Sequence, residues 1–123
     1  MGKKGFISTK EIEEALIAFR NAREWEKFHA PRQLASAISI EAAELLETFL
    51  WKTDVEVNEA LGNKEFVDSI GDEIADVLSF TILLANSLGL DFGHLIKMKL
   101  EKNERRYPVS KSKGRANKYN NLD

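Results

Sequence analysis

Apolar residues along this 123-residue chain recur at helical spacing almost from end to end, and no stretch alternates with the period of two expected of a strand. Ile12, Ala15, Leu16 and Phe19 line one face of a first helix that runs to about Trp25. Ser8 and Glu11 have the spacing of a capping box at its start, with Thr9 as the alternative cap. Pro31 marks a boundary, and the pattern predicts a second helix from about Arg32 to Trp51. Its apolar residues, among them Leu34, Ile38, Ile40, Leu45, Leu46 and Phe49, nearly encircle it, so it reads as a central helix buried on several sides. Thr53 to Lys64 is a polar connection with room for a short helical turn. A third long helix is expected from about Glu65 to Leu88, with Gly71 inside it and Gly89 closing it. Asp91 opens a fourth that runs to about Arg106, before Pro108. The expectation is one all-α, four-helix-bundle-like domain over residues 1–123, with flexible tails at about 1–8 and 109–123.

Four acids interrupt this pattern. Glu41 and Glu44 on the second helix, and Glu73 and Asp76 on the third, are spaced i, i+3, which puts both members of each pair on one helix face. Glu41 continues the stripe Leu34, Ala37, Ile38, Leu45; Glu73 lies within Phe66, Ile70, Val77, Phe80. A carboxylate on an apolar stripe is costly to desolvate unless a cation compensates it. Two such pairs facing each other form a hard-cation site, and Mg2+ suits all-oxygen donors that leave room for water and phosphate. The bland alternative is a solvated acidic face, with Glu47 and Asp72 as outer members or ordinary surface residues. A di-iron site needs Glu-x-x-His on two helices; the chain holds one copy, Glu26 to His29, at a helix boundary and apart from the acid pairs.

Composition narrows the class. With 18 basic and 20 acidic residues the net charge is −2, so nothing in bulk charge draws the chain to nucleic acid or an anionic membrane. No cysteine is present, which excludes disulfides and thiolate metal sites. No stretch approaches the roughly 20 apolar residues of a membrane span, and no signal-peptide core follows Met1. The Met1-Gly2 start lacks the Ser or Thr of a myristoylation motif, since Phe6 stands in that place. A cytoplasmic protein is expected.

Trp25, Phe28, His29 and Trp51 form a second group. They read equally as core packing and as a pocket whose rings stack on a planar base while the acids hold its phosphates through the metal. On the fourth helix Lys99, Asn103 and Arg106 share helical spacing and offer phosphate contacts, against the ordinary reading of a solvated basic face.

Several blocks together carry a family resemblance: Arg23-Glu-Trp-Glu-Lys-Phe-His-Ala-Pro-Arg32, the Glu41 pair with Trp51-Lys52, Asp72-Glu-Ile-Ala-Asp-Val77, and Asn103 to Pro108. Over roughly Ile12 to Tyr119 the chain resembles the MazG-like all-α nucleotide pyrophosphohydrolases, most of all their dCTP pyrophosphatase branch. The resemblance implies Mg2+-dependent hydrolysis of a nucleoside triphosphate, dCTP or a modified deoxycytidine triphosphate, to monophosphate and pyrophosphate. Glu41, Glu44, Glu73 and Asp76 would be the metal ligands, with Glu44, or else Glu41, as the catalytic carboxylate. Trp25, His29, Trp51 and Phe80 would enclose the base, with Lys99 and Asn103 near the phosphates. It also implies a homodimer or a dimer of dimers, and a nucleotide rather than a nucleic acid or a membrane as partner. Two positions depart from the branch: Leu16 stands in place of a base-side histidine and Phe80 in place of a tyrosine. A dUTP-directed or broad triphosphate pyrophosphohydrolase, and a non-catalytic helical oligomerisation module, remain as alternatives.

Overall fold

The computed structural model describes residues 7–121, all of whose regular elements are helical. The first part of the expected N-terminal tail, including the Met1-Gly2 start, lies outside the described residues. Helix α1 spans Thr9–Ala22, and Ser8 is its N-cap, accepting from the Glu11 amide at 3.2 Å. A 3-10 turn, Glu26–Phe28, leads to α2, Pro31–Glu47. Pro31 fits the first helical position, where no amide partner is needed, and Gln33 reaches back to accept from the Ala30 amide at 3.1 Å.

Two helix ends fall short of expectation. The first helix stops at Ala22 rather than Trp25, and the second at Glu47 rather than Trp51. Each stop is followed by a non-glycine residue in the left-handed region, Glu24 at φ 53° and Trp51 at φ 65°. Such a residue reverses the chain without the glycine that usually advertises it. The expected polar connection holds a helix of its own, α3 (Asp54–Ala60), started by a Thr53–Glu56 capping box. Helix α4, Lys64–Ser87, is capped by Asn63, which accepts from the Glu65 and Phe66 amides.

The chain divides into two compact units, Met1–Gly89 and Leu90–Asp123. In the first, α2 packs along α4, and α1 also lies on α4. Asn86 on α4 donates to Glu13 of α1 at 2.8 Å. The seam between α2 and α4 is the pair of stripes read from the sequence. Leu34 is fully buried, and Ala37, Ile38, Glu41 and Leu45 are partly covered on one side; Phe66, Ile70, Glu73, Val77 and Phe80 are partly covered on the other. Ile82, Leu83 and Ala85 complete the buried apolar set.

The second helix is not buried on several sides within one chain: Ile40 is 59% and Leu46 62% exposed. Helix α4 also keeps an exposed apolar stripe, Val67, Ile74 and Leu78, at i, i+7 and i+11. Gly71 lies in that stripe, and a Cβ there would meet nothing.

The second unit consists of α5, Phe92–Arg106, capped by Asp91, and a short α6, Val109–Ser112. The segment after Pro108, expected to be a flexible tail, is therefore partly helical. A 3-10 turn at Tyr119–Asn121 brings Tyr119 edge-on to Tyr107 at 6.2 Å, with the Arg106 guanidinium 4.7 Å from its ring centre. Among the described residues no single helix is long and apolar enough to cross a membrane.

Candidate active site

The α2–α4 seam brings the acid pairs together. Glu41, Glu73 and Asp76 each offer a carboxylate oxygen, and these oxygens lie within 4.8 Å of one another. Glu44, one turn beyond Glu41, lies near enough for its carboxyl to act on both Glu41 and Glu73. The consequence is electrostatic. Burial, then hydrogen bonding to Glu44 and its negative charge, then the charges of Asp76 and Glu73 push the Glu41 carboxyl up to about 7. The Glu73 carboxyl is raised too, by burial first and then by the charges of Glu44 and Asp76, with smaller contributions from hydrogen bonding to Glu44 and the charge of Asp72.

One oxygen of Glu41 and one of Glu73, Oε2 in each case, are buried with no hydrogen-bond partner. Orphaned carboxylate oxygens are expensive, and neighbours of like charge make them more so. A divalent cation removes both costs at once. The donor set is all oxygen, without thiolate or imidazole, and suits a hard ion. The residues present therefore fit a metal such as Mg2+.

A cavity of about 390 Å3 adjoins this cluster and shares Asp76 with it. Leu16, Phe19, Trp25, Phe80 and Leu83 supply apolar and aromatic wall. Trp25 stands edge-on to Phe19 at 5.8 Å, and His29 edge-on to Phe80 at 6.2 Å. Burial and the nearby Arg20 charge lower the His29 pKa, which keeps the ring neutral at pH 7. Its Nδ1 is buried without a partner.

Of the residues singled out from sequence, the fold gathers Glu41, Glu44, Glu73 and Asp76 at the cluster, and Trp25, His29 and Phe80 at the cavity. Trp51 is not in the cavity wall: it stands 91% exposed beyond the end of α2. Lys99 and Asn103 lie on α5 in the second unit. Sequence reasoning passed over Arg20 and Ser79 in the cavity wall. Arg20 carried a usable signal, being one turn from Leu16 and next to Phe19, a cation in register with an apolar helix face.

Fold and site together define an all-α protein that sets a cluster of carboxylates beside an aromatic-walled cavity. The model of the MazG-like family matches residues 36–122, so the chain belongs to that family. It is 34% identical over 113 residues to dCTP pyrophosphatase 1 of Bos taurus, covering 92% of this chain and 67% of that protein. The dCTP pyrophosphatase 1 of Homo sapiens is 33% identical over 113 residues, 92% of this chain and 66% of that one. The chain thus spans about two-thirds of the length of these curated relatives. The crystal structure of a pyrophosphatase from Archaeoglobus fulgidus DSM 4304 superposes with a TM-score of 0.75 at 38% identity, covering 88% of this chain and 99% of that one.

Proposed function

We propose that this chain is a nucleoside triphosphate pyrophosphohydrolase that acts on dCTP or modified deoxycytidine triphosphates and depends on Mg2+. The observation that carries the reading is the pair of buried, unpartnered carboxylate oxygens of Glu41 and Glu73, grouped with Asp76, which also lines a cavity walled by aromatic side chains. A non-catalytic helix bundle has no use for such a cluster. Relatives named as dCTP pyrophosphatases support the substrate class.

Glu41, Glu73 and Asp76 would hold the ion, with Glu44 beside them. When bound, Mg2+ supplies Lewis acidity to the triphosphate. Glu44 stands outside the tight trio and is the more exposed member of its pair, which leaves its carboxylate available as a base. The attacking water gives its proton to Glu44 as its oxygen bonds to phosphorus. The anhydride bond on that phosphorus breaks, and pyrophosphate leaves the nucleoside monophosphate. Trp25 and Phe80 cover the base, and neutral His29 offers a hydrogen bond without adding charge. Lys99 and Asn103 are proposed as phosphate contacts and Trp51 as a further aromatic contact to the base.

The chain works as one functional domain and, given the exposed Val67, Ile74 and Leu78 stripe, as a homodimer or a dimer of dimers. Its setting is the cytoplasm, where nucleotide pools are found.

The test is pyrophosphate release from the canonical and 5-modified deoxynucleoside triphosphates, with and without Mg2+. The reading expects Mg2+-dependent release, fastest with cytosine bases. No release from any of them would return the chain to the class of non-catalytic binding modules.

A further inference from the structure

Arg20 is the one buried charged residue of the described chain, 7% exposed on α1. A guanidinium carries five N–H donors and no acceptor, so burying it demands several partners. Only one is met by a side chain: Nε donates to Asn21 Oδ1 at 3.1 Å. Among the described residues no carboxylate comes within ion-pair distance of it. Arg20 lines the cavity, and its charge adds to burial in lowering the His29 pKa.

Its place in the wall says what it meets. Leu16, one turn earlier on the same face of α1, also lines the cavity, as does neighbouring Phe19. Asp76 joins the cavity to the carboxylate cluster, so phosphates belong on that side. Apolar and aromatic surface around Arg20 suits a flat ring far better than a chain of phosphates. With the side chains of Leu16 and Phe80 both lacking polar atoms, Arg20 is, among the described residues, the only fixed cation in the wall.

We infer that Arg20 is a specificity-determining residue that reads the Watson–Crick edge of the base, donating in parallel to the adjacent O2 and N3 acceptors of cytosine. The inference rests on the proposed pyrophosphohydrolase reading. A planar fork of donors matches two neighbouring acceptors. Uracil and thymine carry N3–H in place of the second acceptor, so one arm of the fork would face a donor. Substituents at C5 lie away from this edge, so 5-modified cytosines are accepted.

The experiment compares kcat/KM for dCTP, 5-methyl-dCTP, dUTP and dTTP in wild type, Arg20→Gln and Arg20→Lys, with circular dichroism as the check on folding. Wild type is expected to prefer both cytosine nucleotides. Gln presents one donor and one acceptor, which complements uracil better than the fork does. In Arg20→Gln the dCTP-to-dUTP ratio should therefore fall roughly ten- to hundredfold, the scale of losing a charge-assisted hydrogen bond, and mainly through KM. Arg20→Lys keeps the charge without the fork and should also lower the ratio; it carries the test if the Gln variant fails to fold. An equal loss for all four nucleotides would overturn the inference, because it would make Arg20 a phosphate or packing residue. A wild type that turns over dUTP as well as dCTP would overturn it too, while leaving the pyrophosphohydrolase reading intact. A wild type that releases pyrophosphate from nothing would sink that reading, and this inference with it.

Discussion

Glu41 on α2 and Glu73 on α4 face each other across the packed seam of the first unit, each with its Oε2 buried and unpartnered. Asp76, one turn from Glu73, brings a third carboxylate oxygen within 4.8 Å. Like charges held this close destabilise the chain that carries them, and a cation that binds there recovers the cost. On the proposed function, stability and catalysis are linked through this one cluster.

The linkage has a sign. The fold raises the Glu41 carboxyl from 4.5 to about 7 and raises Glu73 as well, so it favours their protonated forms. Stability from this source is fully present below the ordinary carboxylate value and is lost as pH rises through about 7. Thermal unfolding in EDTA should therefore show a melting temperature that falls between pH 5 and pH 8. Mg2+ should restore it at pH 8, where the ligands are ionised, and do little at pH 5. Glu41→Gln should flatten the metal-free pH dependence.

Removal of a proposed ligand's charge separates function from fold. Asp76→Asn should lower turnover by more than the roughly 10- to 100-fold that loss of a mere supporting partner costs at a metal site. Its far-ultraviolet circular dichroism should match wild type. Wild-type turnover in this variant would remove Asp76 from the metal site.

Much of this was legible in the chain. The two stripes that hold Glu41 and Glu73 were visible as helical periodicity, and periodicity survives into the fold because it decides which face is covered. The ends of α1 and α2 were not legible, because Glu24 and Trp51 take the left-handed conformation where glycine is the usual marker. Nor was α3, whose start depends on the exchange of hydrogen bonds between Thr53 and Glu56 in a polar segment with little apolar face. Arg20 was missed for a different reason. A basic residue on a helix is normally solvated, which outweighs the register of Arg20 with the apolar face of Leu16, and the approach of α4 is what makes it part of a cavity wall.

The aromatic wall makes a separate prediction. Trp25 is 43% exposed, so it contributes modestly to the core, yet it lines the cavity. Trp25→Ala should weaken nucleotide binding by about 1–3 kcal/mol, the scale of losing a stacked ring. Hydrolysis of inorganic triphosphate, which has no base, should be unaffected. Comparing KM for the two substrates checks this, and an equal loss for both would place Trp25 outside base recognition.

Assembly is testable through the exposed stripe of α4. Light scattering on the wild type should give at least twice the 13.9 kDa of one chain. Leu78→Glu, which sets a charge in a stripe already 55% exposed at that position, should shift the mass toward a single chain. A wild type that remains at the mass of one chain at micromolar concentration would contradict the assembly.

The most direct test of the central claim is phosphorus NMR of the products from dCTP and Mg2+, for wild type and Glu41→Gln. The account predicts dCMP and pyrophosphate in equal amounts from wild type, and unreacted dCTP with the variant. Formation of dCDP and orthophosphate, or undiminished pyrophosphate from Glu41→Gln, would contradict it.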